Sequence, residues 1–261
     1  MSPVPLTVEG SALLHQMFTI DWGSWRQVSK GERDEMIAEA VPVLSESGIF
    51  SLIGHKGDIL LVHFRSNFEE LQKIELRLAR LALFDYLELT TSYLSVVELG
   101  LYESSQKVYA SLDERGLAPH SAEWKEEIEE ALQRQREAMQ PRLFPAIPDH
   151  KYICFYPMDR RRGEVKNWYR ESMADRSRMM HDHGMIGRRY AGEVKQIISG
   201  SIGLDDWEWG VDLFADDPLV FKRLIYEMRF DEVSAEYALF GTFYVGLRCP
   251  ADELRNLLSL A

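Results

Sequence analysis

A histidine beside a glycine, a tyrosine before a proline and a glutamine in an apolar strand are the residues of this chain best placed to do chemistry. His183 follows Val165, Trp168, Tyr169, Met173 and Met180, which recur at roughly helical spacing. Gly184 is the kind of residue that ends a helix in a left-handed conformation, so His183 is expected at or just past the last turn. An imidazole at the negative end of a helix dipole is somewhat more basic than a free one and suited to give a lone pair to a metal such as iron. A helix-terminal histidine bonded to a carbonyl is the plainer alternative, and position alone does not separate the two. A zinc site from His181 and His183 is disfavoured, because residues i and i+2 of a helix do not face one point. Tyr152, Cys154 and Tyr156 alternate onto one strand face, and Pro157 is expected to break the ladder, leaving Tyr156 at a strand end open to a ligand. Gln196 shares a face with Val194 and Ile198, so its amide must find a partner or meet a ligand.

Charge sharpens this picture. The chain has 261 residues and a formal charge of −12, which argues against a nucleic-acid or anionic-membrane surface. Yet between Tyr156 and Tyr190 there are nine Arg or Lys against five Asp or Glu. Such a basic window suits a small polyanionic ligand, since guanidinium forks pair with carboxylates. For Arg170, Arg176 and Arg178 a solvated helix face is expected, while Arg160 to Arg162 follow a strand directly. Arg229 is expected to pair with Asp231 or Glu232. Cys154 and Cys249 have no Cys-x-x-Cys spacing and read as buried thiols. No apolar run is long enough to cross a bilayer and no secretory leader is evident, so a cytoplasmic protein is expected.

The elements that must position these residues form a repeat. Strand 14–22, helix 25–44, hairpin 49–53 and 59–64, helix 67–84 and strand 89–99 read as βαββαβ. Strand 152–156, helix 164–180, strands 194–199 and 208–214, helix 218–230 and strand 241–247 repeat that order. The expected fold is α+β, two ferredoxin-like units packed as a barrel-like pseudo-dimer. The expected division is an N-terminal half at 1–118, a helical connector at 119–148 and a C-terminal half at 149–261. Within the connector, 121–140 is a charged helix with Ser121 as N-cap and Pro141 past its end.

YPMDRRR at 156–162, NWY at 167–169, HGMIGRRYAGEVKQIISGS at 183–201 and DDWEWGVDLFADD at 205–217 resemble the chlorite dismutase-like haem proteins, and within them the coproheme decarboxylase branch. The resemblance spans nearly the whole chain and is densest after Arg142. It implies that His183 is the axial iron ligand and that Gln196 takes the distal position, where chlorite dismutases place an arginine. Chlorite chemistry is disfavoured on that ground. It further implies that Tyr156 is the redox-active residue, and that Tyr156, Pro157, Met158, Asp159 and Arg160 form a substrate-contacting segment, with Arg142 and Ser234 as propionate contacts. Arg160 departs from the lysine usual there. Its charge can anchor a propionate, but a guanidinium gives up a proton far less readily. Trp168 reads equally as a core anchor or a porphyrin-edge residue, and Met158 could simply pack.

The implied substrate is iron coproporphyrin III (coproheme), which is also the redox cofactor, with hydrogen peroxide as oxidant. Two propionates become vinyl groups, giving haem b. The implied assembly is a homopentamer, with a ferrochelatase as transient partner. A non-catalytic haem carrier of the same fold, which has no need of Tyr156, is the competing reading, and a ligand-free assembly module is another.

Overall fold

The computed structural model describes residues 4–259. The N-terminal half runs β1 (Thr7–Ile20), α1 (Trp22–Trp25), α2 (Lys30–Leu44), β2 (Gly48–Ile53), β3 (Ile59–Arg65), α3 (Phe68–Leu78) and β4 (Leu87–Gly100). Two helices follow, α4 (Tyr102–Glu114) and α5 (Ala122–Leu143). The C-terminal half runs β5 (Tyr152–Arg160), α6 (Met173–Arg189), β6 (Lys195–Gly200), β7 (Trp209–Ala215), α7 (Leu219–Met228), α8 (Glu232–Tyr237), β8 (Ala238–Phe240), β9 (Tyr244–Arg248) and α9 (Leu254–Leu258).

All strand pairings are antiparallel, in the order β7-β6-β4-β1-β3-β2-β9-β5-β8, and an additional β7–β5 pairing closes the ring with β8 outside it. Within each half the strands lie in the same relative order, fourth-first-third-second. The halves join edge to edge, β2 to β9 and β4 to β6. The expected tandem of ferredoxin-like units is therefore present, and its sheets close into one barrel that leaves no long free edge.

Period-two alternation then sorts the side chains. Leu13, Met17, Phe50, Leu60, Val62, Tyr93, Ile153, Phe155, Ile197 and Phe214 pack inside the ring. Inside it too, His15 Nε2 lies 2.8 Å from Asp212 Oδ1, joining β1 to β7, with both side chains fully buried. The outward faces carry the helices. Ser29 caps α2 in a reciprocal capping box with Glu32. On the outer face of β3, His63 accepts or donates bonds to Ser47 and Gln16, and burial, with Arg65 beside it, pushes its imidazole down to about 3.

Several expectations need correcting. His183 does not end a helix: α6 starts only at Met173, capped by Ser172, and continues through Gly184 and Gly187 to Arg189. The segment before it is no helix but a short 3-10 turn at Trp168–Arg170. The dipole argument for His183 therefore fails, since it lies two turns from the helix end. Helix α6 persists because Ile186 and Tyr190 still pack on the C-terminal core. Pro157 does not end β5 either. It pairs with Gly210, and its missing N–H falls where β5 changes neighbour from β9, paired at Tyr152–Phe155, to β8, paired at Met158–Arg160. Pro141 lies inside α5, which continues to the buried Leu143. Arg176 is buried, not on a solvated face.

Candidate functional site

The site is organised by one stripe of α6. Met180, His183 and Gly187 stand at i, i+3 and i+7, so they share a face. At one end of the stripe, an Arg160 Nη of β5 donates to Met180 Sδ at 3.5 Å. At the other, a Cβ built on Gly187 would lie 4.0 Å from Gln196 Oε1 of β6 and 3.4 Å from Met228 Cε of α7. His183 thus sits between contacts to β5 and to β6, on the side of the helix that faces the barrel.

Its orientation is fixed from α8. His183 Nδ1 lies 2.7 Å from Asp231 Oδ2. With the carboxylate ionised, Nδ1 carries the proton and Nε2 keeps its lone pair, the tautomer an axial metal ligand needs. Asp231 also caps α8, accepting the Ser234 N–H at 2.7 Å, and the Ser234 hydroxyl donates to it at 3.2 Å. Burial alone would raise the Asp231 carboxyl, but the bonds from His183 and Ser234 outweigh it and hold the group below its ordinary value. Sequence reasoning missed this role for Asp231, assigning it to Arg229. The signal available was the Asp-x-x-Ser spacing of an N-cap immediately before the short helix.

Tyr156 points outward from β5 with Tyr152, Cys154 and Met158, as the alternation predicts. Its ring stacks on Phe243 at 4.5 Å and meets Phe240 at 5.7 Å. Burial pushes its phenol up, and the Arg229 and Arg160 charges only partly oppose this. Arg229 forms no pair with Asp231 or Glu232; its guanidinium lies 3.7 Å from the centre of the Phe240 ring, while Glu232 pairs with Arg178. Arg160 lies 5.1 Å over Trp168, which is itself buried against Tyr237 and Tyr102. Among the described residues neither guanidinium has a carboxylate within ion-pair distance. Burial pushes the Arg160 guanidinium down from its ordinary value, opposed by the Tyr102 and Asp231 charges.

Of the residues singled out in sequence, Tyr156, Pro157, Met158, Asp159 and Arg160 lie on one strand, and His183 and Ser234 meet at 3.5 Å. Gln196 is exposed on the outer face of β6 near Gly187. Arg142 stands apart: it is exposed near the end of α5, with Met139 Sδ at 3.6 Å. A recess of about 390 Å³ opens beside the end of β5, lined by Arg162, Asn167, Tyr169, Ile202 and Glu208; neither His183 nor Tyr156 lines it. No cluster of three His, Cys, Asp or Glu suited to a metal ion occurs among the described residues. The donor set around His183 therefore lacks the three protein ligands of a free metal-ion site, and a lone imidazole fits iron already held in a macrocycle.

Residues 26–249 match the family described as Chlorite dismutase. The chain belongs to the chlorite dismutase family. A coproheme decarboxylase of Staphylococcus saprophyticus is 40% identical over 274 residues, covering 100% of both chains. A solved heme-binding protein from Thermus thermophilus is 38% identical with a TM-score of 0.85, covering 100% of this chain and 99% of that one. A mutant chlorite dismutase from Candidatus Nitrospira defluvii shares the fold at 17% identity and a TM-score of 0.71, with 96% of each chain covered. Chlorite dismutase-family membership therefore agrees with the expected fold, and the relatives at 40% and 38% identity carry coproheme and heme in their names. Among the described residues no helix is long and apolar enough to cross a membrane.

Proposed function

We propose that this protein is a coproheme decarboxylase: it binds iron coproporphyrin III through His183 and converts two of its propionates to vinyl groups, giving haem b. The observation that carries the reading is the bond from Asp231, the cap of α8, to His183 on the barrel-facing stripe of α6, with Tyr156 and Arg160 on the neighbouring face of β5 and Arg229 at the end of α7 beside Phe240. The full-length relative named coproheme decarboxylase supports it. The outer face of β6, with its neutral Gln196, favours this chemistry over that of chlorite, an anion best held by a cation.

When bound, the iron porphyrin supplies the redox chemistry, drawing oxidising equivalents from hydrogen peroxide. The protein holds and positions. Asp231 keeps Nε2 of His183 unprotonated. Arg160 and Arg229, near Tyr156, meet carboxylates of the substrate, and Arg142, which stands apart at the end of α5, is a further propionate contact. Met158 contacts the substrate edge from the Tyr156 face of β5, Pro157 and Asp159 back it from within the strand, and Ser234 is a further propionate contact. Tyr156 stays a neutral phenol because burial disfavours its anion. Its oxidation must therefore release a proton with the electron, which makes it a hydrogen-atom acceptor once oxidised. Taking hydrogen from a propionate β-carbon, with loss of one further electron, releases carbon dioxide and leaves a vinyl group. Per propionate carboxylate, one peroxide and one proton are consumed and two waters form. A homopentamer in the cytoplasm, supplied by a ferrochelatase, belongs to the same proposal.

The test is reconstitution with coproheme followed by anaerobic peroxide titration, with porphyrin masses read. Two successive losses of carbon dioxide are expected in the native protein, and none above the enzyme-free background in Tyr156→Phe with coproheme still bound. Unchanged conversion in Tyr156→Phe removes the assignment. Binding without conversion in the native protein leaves a haem carrier.

A further inference from the structure

Beyond Met158 and Trp209 the β5–β7 pairing ends. The two chains nevertheless stay joined by one more rung, made of side chains. Glu208 donates its N–H to Asp159 Oδ1 at 2.8 Å, and Glu208 Oε2 accepts the Arg160 N–H at 2.8 Å. The exchange is reciprocal, in the manner of a capping box. Glu208 is buried, and its other carboxylate oxygen lies 3.6 Å from Arg162 Nε. On its far side, β5 at Asp159 and Arg160 pairs with β8, which directly follows the α8 that carries Ser234. The end of β5 is thus gripped from both edges, and Arg160 leaves it toward Trp168 and Met180.

Burying a carboxylate costs several kcal/mol unless its bonds are good. A surface turn between β6 and β7 has no need of one. We propose that Glu208 is a positioning residue: by accepting the Arg160 N–H it sets where the Arg160 guanidinium stands, and so lets the site select a porphyrin bearing the extra propionates. This inference rests on the proposed function and names a selectivity element within it. The role belongs to reach as well as charge. Glutamine keeps the acceptor oxygen at the same distance, whereas aspartate keeps the charge but is one methylene too short to reach the Arg160 N–H.

The experiment compares affinities for coproheme and haem b, read from the Soret band, in the native protein, Glu208→Gln and Glu208→Asp. Native protein is expected to prefer coproheme. Glu208→Gln should keep that preference within about twofold, and Glu208→Asp should lower it about tenfold, the scale of one lost hydrogen bond at a charged anchor. Adding Glu208→Asp to Arg160→Ala should change the preference no further, because the effect runs through Arg160. A purely structural role would weaken both porphyrins equally, and that result overturns the inference, as does a loss in Glu208→Gln equal to that in Glu208→Asp. If one variant fails to fold, the other still decides: preference retained in Gln or lost in Asp supports the inference, and the reverse in either refutes it. Native protein that binds no coproheme refutes the functional reading instead, before any variant is measured.

Discussion

The two halves of the barrel place the same elements in the same order, but they finish their outer faces differently. In the N-terminal half α2 sends Ile37, Ala40 and Leu44 onto Phe18, Ile20, Ile49, Ile59 and Leu61, and α3 adds Ile74 and Leu78. The face is closed mainly by hydrocarbon, with the hydrogen-bonded His63 and Gln16 buried at its side. In the C-terminal half α7 closes its share with Val220, Phe221, Leu224 and Met228, but α6 gives that cluster only the partly buried Ile186 at its far end. Where α2 is apolar, the facing stripe of α6 carries His183, Gly184 and Gly187. Ile49 of β2 is 3% exposed, while Ile198, outward-facing on the topologically equivalent β6, is 37% exposed beside the exposed Gln196. One repeat completes its core, and the other leaves part of a sheet face for something else to use. Sites occur where a fold gives up local stability that the rest can supply.

The sharpest way to break this comparison is to delete the paired isoleucines. Ile49→Ala removes three side-chain carbons from a closed core and should cost about 2–5 kcal/mol. Ile198→Ala takes the same atoms from an exposed face and should cost about 0.5 kcal/mol or less. Urea midpoints at matched m-values measure both. Equal losses would mean that the C-terminal face is packed as tightly as its counterpart, and the site would have to be sought elsewhere.

Next in size is the partner of His183. Asp231→Ala removes the carboxylate that fixes the imidazole, and coproheme affinity should fall about 10–100-fold, as for other outer-shell partners of ligating histidines. It also removes the α8 cap, worth about 1 kcal/mol. Asp231→Asn retains a capping oxygen, so it should keep most of the stability yet still weaken iron binding. The pH dependence has a definite sign. Because the folded Asp231 carboxyl is held below 3.8, its contribution is fully present above that unfolded value and is lost as pH falls through the lower folded one. The Asn variant should lack this part of the acid transition. An acid midpoint identical in the two proteins would show that the pair adds nothing to stability.

How far the sequence discloses this division can be judged from single residues. Strand alternation places Tyr152, Cys154 and Tyr156 on the correct face, and the βαββαβ repeat is plain, because period two and turn residues are local signals. The helix over His183 is misplaced because Gly184 looks like a stop. A glycine in a helix weakens it without ending it when flanking side chains still find a core, as Ile186 and Tyr190 do. Pro157 misleads in the same way: its missing N–H harms a strand only where a neighbour demands it, and here the neighbour changes at that point. Helix α4 has no side-chain N-cap to mark its start. The Asp231 and Glu208 bonds span 48 residues each and leave no local trace; no period or motif joins His183 to Asp231 or Arg160 to Glu208.

The smallest effect is the most discriminating, because stability and binding should move in opposite directions. Gly187 has ordinary helical φ, and an added Cβ would meet Met228 Cε at 3.4 Å and Gln196 Oε1 at 4.0 Å, both normal contacts. Gly187→Ala therefore fits without displacement and gains about 0.8–1 kcal/mol of helix propensity. In a chain of this size that raises the melting temperature by about 2–4 °C. The same methyl stands one turn from His183, on the stripe that faces β6, and should reduce coproheme affinity. A glycine kept only to tolerate crowding would lower stability on substitution, and one irrelevant to the site would leave binding unchanged. Only a glycine that holds the C-terminal face open makes the protein more stable and the ligand weaker at once.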